Sequence, residues 1–403
     1  MSGGDSGVSG AGPGADGEDS GAKSGDPGRE ESGANSGGAG KKNGSPGRDE
    51  DKILAIIERS RAKPGKFKDA QITMSHGAGG KATQSLIEGL FLPAFVNERL
   101  APLGDSGAFE VNGTRLAMTT DSFVVSPLVF PGGSIGDLAV NGTVNDLAVS
   151  GAKPLALTLS LILEEGLDTT ILRREVDAVA AAARAAEVEI ISGDTKVVER
   201  GLADSLYMCT AGVGLRDPRA ELSTGALRPG DRVFVSGTMG DHGTAIMLSR
   251  GEFDLESLIE SDTRPLWPLV DALLEEVGPS LRCMRDATRG GVASVLNELA
   301  RASTVAMEVR EADGPIAEGV KGASDILGLD PWYVANEGKL VAFVAPDAAE
   351  KAVATMRSIP GCELAADIGE VRTDPPGMVV METSFGGKRV LDLLVGDPLP
   401  RIC

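Results

Sequence analysis

Hydrophobic positions fall into distinct regimes along this chain. The first fifty or so residues are Gly, Ser, Asp and Pro with almost no large apolar side chains, and the first aromatic is Phe67. Such a segment buries too little apolar area to offset ordering entropy and is expected to be disordered. Residues 51–62 space Ile53, Ile56 and Ile57 as a helix does, and Pro64-Gly65 ends the run, which reads as a linker helix. From Ile72 the pattern changes. Strand-like runs at 115–119, 155–163, 189–191 and 206–213 alternate with helical, Ala-rich runs at 135–150 and 172–186. That alternation predicts an α/β or α+β module. Residues 216–231 are polar and turn-rich, and a second strand-turn-helix series starts at 232–236. The divisions expected are therefore an extension and linker at 1–65, a first domain at 66–218, a second at 228–395 and a tail at 396–403.

The tail changes the chemical picture. Pro398 and Pro400 remove backbone donors and fix φ, so the segment cannot be helical. It reads as a short mobile arm that ends in a thiol, Cys403. A terminal cysteine alone is more often incidental than reactive, so the rest of the chain must decide.

With 403 residues the chain is long enough for two ordinary domains. A net charge of −20 and a pI near 4.6 argue against nucleic acid and against anionic membrane surfaces. Four cysteines (Cys209, Cys283, Cys362 and Cys403) contain no CxxC pair, and two histidines exclude a His-rich metal site. Cys209, in an apolar run, is expected to be a small core residue. Neither a long apolar span nor a hydrophobic leader core is visible, and a reducing cytoplasm is inferred.

Carboxylates recur where elements are expected to end. Asp105 lies in Gly104-Asp105-Ser106-Gly107, Asp121 follows a strand, Asn145-Asp146 lies on a helix, and Asp194 follows a second strand. Each alone also suits a turn or a cap. The set suits Mg²⁺, a hard cation that bridges carboxylates to nucleotide phosphates. Gly79, Gly80 and Lys81 in His76-Gly77-Ala78-Gly79-Gly80-Lys81 would let backbone amides approach phosphate, although this is not GxxxxGK[ST]. Residues 236–243, with Asp241-His242-Gly243, and residues 285–291, with Arg289-Gly290-Gly291, look like helix openings where an anion docks. Glu337 in Asn336-Glu337-Gly338-Lys339 is ordinarily a solvated turn residue, but near a reacting thiol adduct it would serve as a base.

Taken together, these motifs and the terminal Pro400-Arg401-Ile402-Cys403 closely resemble the HypE family of hydrogenase maturation factors, within the PurM-like ATP-binding superfamily. The resemblance covers about residues 72–403 and leaves the extension unaccounted for. It implies a two-domain α/β (α+β) fold: an N-terminal mixed sheet that pairs into a dimeric barrel, a C-terminal α/β domain and a flexible tail. It also implies a reaction. Cys403 accepts a carbamoyl group from the carbamoyltransferase HypF, ATP phosphorylates the thiocarboxamide oxygen, and loss of phosphate leaves a thiocyanate. The cyanide then passes to iron held by a HypC–HypD pair. The implied roles are Cys403 as carrier, Glu337 as base and Lys196 as stabiliser of developing charge. Asp105, Asp121, Asn145, Asp146, Asp194, Gly79, Gly80 and Lys81 would hold ATP and Mg²⁺, with Asp121, Asp146 and Asp194 on the metal. Two alternatives stand beside this: a non-catalytic carrier of a thiol-bound group, and another PurM-like ATP-dependent synthetase or kinase, neither of the latter needing a terminal thiol.

Overall fold

The computed structural model describes residues 67–95, 97–251, 259–396 and 399–403. The expected extension and linker helix, and Asp397 and Pro398 of the arm, lie outside them.

Two sheets carry the architecture. The first has the order β1-β2-β7-β5-β6. Its strands are β1 (Gly107–Val111), β2 (Thr114–Phe123), β5 (Ala152–Glu164), β6 (Glu189–Val198) and β7 (Leu206–Arg216). β5 and β6 run parallel and the other pairs antiparallel, so the sheet is mixed. A short hairpin, β3 (Val129–Phe130) and β4 (Gly133–Ser134), leads into the first long helix. Ahead of the sheet, the Gly-rich loop opens helix α1 (Lys81–Leu86).

Helices α2 (Ile135–Val149) and α3 (Thr169–Ala185) cover one face of this sheet. α3 is amphipathic, with Val179, Ala182 and Ala183 turned inward. α2 is buried all round except at Asp137 and Asp146, because it lies between the first sheet and the elements of the second lobe. Asp137 Oδ2 accepts from the Ser134 amide at 2.8 Å and caps the helix. Asp146 is left for other work.

The second sheet has the order β14-β13-β10-β12-β8-β11-β9. It comprises β8 (Arg232–Val235), β9 (Leu281–Asp286), β10 (Ala306–Arg310), β11 (Leu340–Val344), β12 (Ala366–Arg372), β13 (Val379–Glu382) and β14 (Lys388–Val390). Every residue of β11 is buried, which explains its unbroken apolar run. On one face sit α5 (Trp267–Val277) and α8 (Ala349–Ser358), where Leu269, Leu273 and Met356 meet Phe234. On the other sits α6 (Gly291–Ala302), with Leu296 and Leu299 against Phe343 and Trp332. Each such buried side chain contributes roughly 1.5–3 kcal/mol of transfer free energy. Helices α4 (Asp241–Ser249) and α7 (Glu318–Leu327) complete this lobe.

Two strands run further than the polar residues in them suggested. β6 continues through Gly193-Asp194-Thr195-Lys196 to Val198, and β2 includes Asp121. Asp194 is therefore inside a strand, not beyond one. Gly and Asp suggest a turn, but Gly193 faces the Leu159 carbonyl so closely that a Cβ would lie 2.4 Å from it. Here glycine permits the pairing with β5. Cys209 also departs from expectation: it is half-buried, with its sulfur 3.2 Å from the Ser122 hydroxyl.

The arm is docked. Leu399 and Ile402 are buried in the cluster of Phe123, Val125, Phe130, Ile246 and Val334. The Cys403 carbonyl oxygen accepts from the Val124 amide at 3.0 Å.

Candidate active site

Three carboxylates converge between the lobes. Asp105 precedes β1, Asp146 is on α2 and Asp286 ends β9, and one oxygen from each lies within 4.8 Å of the others. Arg285 binds Asp105 at 2.7 Å. The Thr119 hydroxyl lies 2.7 Å from Asp146 Oδ2 and 2.9 Å from the Asp105 carbonyl, and donates to one at a time. Burial, then the charges of Asp121, Asp286 and Asp105, push Asp146 well above the usual carboxylate range. Asp286 is pushed well up by burial and by Asp105 and Asp121. Asp121 is raised by burial and by Asp105, with Arg289 opposing. Protonation or a bound cation relieves such crowding of like charges, and an all-oxygen donor set of this kind fits a hard divalent ion such as Mg²⁺.

Arg289 is within electrostatic reach of this cluster. Its charged form is favoured first by Cys403, then by Asp121, Glu337 and Asp146, against the cost of burial. Its Nη1 donates to the Gly77 carbonyl at 2.7 Å. A cavity of about 120 Å³ borders Arg289, Val124, Tyr333 and Cys403.

Glu337 is 3 % exposed. Burial, then Asp286, Asp262 and Asp121, hold its carboxyl well above the ordinary range, with Arg289 opposing. Its Oε1 is buried and has no hydrogen-bond partner among the described residues. The backbone beneath it is firmly held. Asp262 accepts from the amides of Glu337 and Gly338 at 3.0 and 3.2 Å and from Lys339 Nζ at 3.0 Å.

The Gly-rich loop packs on this region. Gly79 has φ of +72°, and a Cβ there would lie 2.6 Å from the Arg289 carbonyl. A Cβ on Gly80 would come closer still to the Leu394 carbonyl, at 2.4 Å. Lys81 pairs with Asp392 at 2.8 Å.

The folded chain matches the AIR synthase related protein N-terminal domain over residues 103–215 and the corresponding C-terminal domain over 228–381. It is 52 % identical over 337 residues to the carbamoyl dehydratase HypE of Bradyrhizobium diazoefficiens, covering 84 % of this chain and 97 % of that protein. The chain belongs to the HypE family. Among solved structures it resembles HypE in a HypE–HypF complex, with TM-score 0.73, 43 % identity, and coverage of 77 % of this chain and 99 % of that one. It also resembles HypE in complex with ATP, with TM-score 0.70, 44 % identity, and coverage of 83 % and 100 %.

Set against the HypE-family expectations, the structure brings Asp105, Asp146, Glu337 and Cys403 around one region, with Asp121 in electrostatic contact. It leaves Asp194 and Lys196 apart. Lys196 Nζ binds Asp194 at 2.7 Å, both side chains are exposed, and that bond lowers the Asp194 pKa. Asp194 shares a cross-strand row with Ser160, Cys209 and Ser122, whereas Asp121 pairs with Thr210 on the opposite, helix-covered side. Asn145 has protein partners of its own. Its Nδ2 donates to the Arg264 and Glu337 carbonyls at 3.0 and 3.1 Å, and its Oδ1 accepts from the Leu266 amide at 2.8 Å. Those bonds use both Nδ2 protons and one lone pair of Oδ1, so the side chain acts as a brace.

Asp286, Arg285 and Arg289 were missed as site residues. The signal was present, because Asp286 closes an apolar strand just as other motif aspartates were expected to. The glycines that follow it, Gly290 and Gly291, suggest anion docking instead.

Proposed function

We propose that this chain is an ATP-dependent carbamoyl dehydratase that converts a thiocarboxamide on Cys403 into a thiocyanate. The observation that carries this reading is the terminal cysteine docked at Arg289, beside a buried carboxyl and a cluster of aspartates. A kinase or synthetase of the same fold has no use for a thiol delivered to that place.

The chemistry balances. The carbamoyl oxygen attacks the γ-phosphorus of ATP, the new O–P bond forms and ADP leaves. The C–O bond then breaks, phosphate departs and two N–H protons are lost, giving S–C≡N. Phosphorylation turns a poor leaving group into a good one, and in-line transfer needs mainly positioning and charge neutralisation. Asp105, Asp121, Asp146 and Asp286 would hold Mg²⁺, which when bound would offset the charge of the ATP phosphates. Arg289 neutralises charge near the sulfur. Glu337 is the proton acceptor, and its raised pKa poises it nearer neutrality than an ordinary carboxylate. Gly79 and Gly80 supply a close backbone approach, and Lys81 would have to leave Asp392 to reach a phosphate.

A homodimer belongs to the proposal. The sheet face opposite α2 and α3 carries Met118 and Leu215, 52 % and 43 % exposed. The half-buried Val213 and Ile162 lie on the same face. Apolar surface of this kind suits a second copy, closing a barrel. Asp194 and Lys196 stand on that face and are assigned to the phosphate side of the site once it is closed. HypF as carbamoyl donor and a HypC–HypD pair as cyanide acceptor complete the sequence. A cytoplasmic location suits a carrier thiol that an oxidising compartment would consume, and among the described residues no helix is long and apolar enough to cross a membrane.

The test is to incubate the carbamoylated full-length protein with ATP and Mg²⁺ alone. ADP, phosphate and loss of one water from the C-terminal peptide are expected. A non-catalytic carrier gives none of the three without a partner enzyme.

A further inference from the structure

Residues 236–243 looked like an anion dock, yet His242 does something else. It is completely buried, with Nε2 2.6 Å from the Ile402 carbonyl and Nδ1 2.7 Å from the Ser261 hydroxyl. The ring stands edge-on to Phe130 at 5.5 Å. A carbonyl only accepts, so Nε2 carries the proton. Burial holds the imidazole below its ordinary pKa, with Asp262 opposing, so the neutral ring accepts from Ser261 at Nδ1.

The neighbouring carbonyls are gripped as well. Arg250 Nη2 donates to those of Pro400 and Arg401 at 2.6 and 3.0 Å. The amides of Ser126 and Val124 donate to those of Arg401 and Cys403 at 3.2 and 3.0 Å. Leu399 and Ile402 are buried apolar anchors, and Arg401 pairs with Asp204 at 2.6 Å. These contacts read the backbone and the side chains preceding Cys403.

The contacts also share a strap. Ser261 holds the His242 ring at Nδ1, and its neighbour Asp262 fixes the backbone of Glu337. The strap is tied to the first lobe, through the Ser261 amide to Pro131 and through Asn141 to Thr263. Movement of 261–262 would displace the tail and the base loop together.

We infer that His242 is a positioning residue for the carrier thiol, acting with Ser261 to orient the last peptide so that Cys403 is presented at Arg289 in register with Glu337. Its catalytic consequence rests on the dehydratase reading, whereas the dock itself does not.

The experiment uses full-length protein and measures iodoacetamide alkylation of Cys403 by peptide mass spectrometry, with Cys209 as internal reference. His242→Phe keeps a buried ring but removes the donor, and should speed Cys403 alkylation about fivefold to tenfold, the value of one hydrogen bond, with Cys209 unchanged. His242→Gln retains an N–H donor and should restore slow alkylation. Dehydration turnover should follow the same order while carbamoylation is retained. The inference is overturned if His242→Phe alkylates as the parent does, or if His242→Gln behaves like His242→Phe. Should His242→Phe fail to fold, Ser261→Ala decides: faster Cys403 alkylation supports the assignment, and an unchanged rate overturns it. Alkylation needs no turnover, so it reports on the dock even if the dehydratase reading fails.

Discussion

The side-chain amide of Asn145 donates to the carbonyl of Glu337 at 3.1 Å, joining residues 192 positions apart. Asn145 is next to Asp146 on α2, so the same turn that offers a carboxylate to the cluster also holds the loop bearing the base. Asn145→Ala should remove two buried hydrogen bonds and one partly buried one, and leave the carbonyls and amide they served without that partner. A loss of about 2–4 kcal/mol is expected, measured by denaturant unfolding, together with lower turnover. A ligand role alone would change turnover and leave stability near the parent value.

Glu337 gives a pH signature. Its carboxyl is raised well above its ordinary value by burial first, then by Asp286, Asp262 and Asp121. A base must be ionised, so turnover should rise as pH climbs through that raised value. Stability should do the opposite. The folded state binds the proton more tightly than the unfolded chain, so this contribution is full below the unfolded pKa and is lost as pH rises through the folded one. Glu337→Gln should abolish the alkaline rise in turnover and make melting less sensitive to high pH. Equal pH profiles for the two proteins would remove Glu337 from the role of base.

Asp146 sits in the same repulsive cluster. Its raised pKa, from burial first and then Asp121, Asp286 and Asp105, means that ionisation opposes folding as pH rises. Asp146→Asn should therefore raise the melting temperature in metal-free buffer at pH 8. Added Mg²⁺ should stabilise the parent and do little for the variant, following the logarithmic dependence of stability on ligand concentration. Dehydration should fall while carbamoylation of Cys403 persists. Parallel loss of both activities would point to a folding defect.

Much of the architecture was legible because its signals are local. The β-branched and apolar runs mark the strands, and the Ala-rich 3.6-residue pattern of α3 marks a helix against one sheet face. Other features depend on contacts distant in sequence. The sequence shows that Asp194 stands among polar residues, but only pairing with β5 shows that it lies within an edge strand on the uncovered face. Asn145 beside Asp146 resembles a ligand pair until its partners Arg264, Leu266 and Glu337 fold back onto it. The tail was legible in its chemistry and not in its placement. Two prolines and a cysteine suggest an extended, mobile arm without saying where it rests, and Leu399 and Ile402 find a buried cluster built mainly from the other lobe.

The uncovered sheet face supplies the last prediction. Met118 lies mid-strand on β2, opposite Val213, and is 52 % exposed in the single chain. In a paired barrel it would be enclosed. Met118→Asp would then place a charge in an apolar interface, where its desolvation is uncompensated. Sedimentation should show the parent as a dimer and the variant shifted toward monomer, with melting of the isolated chain little changed because the site is open in the fold itself. Turnover should fall with the dimer fraction if Asp194 and Lys196 act only when this face is closed. A variant that is fully monomeric and fully active would detach both residues from the reaction.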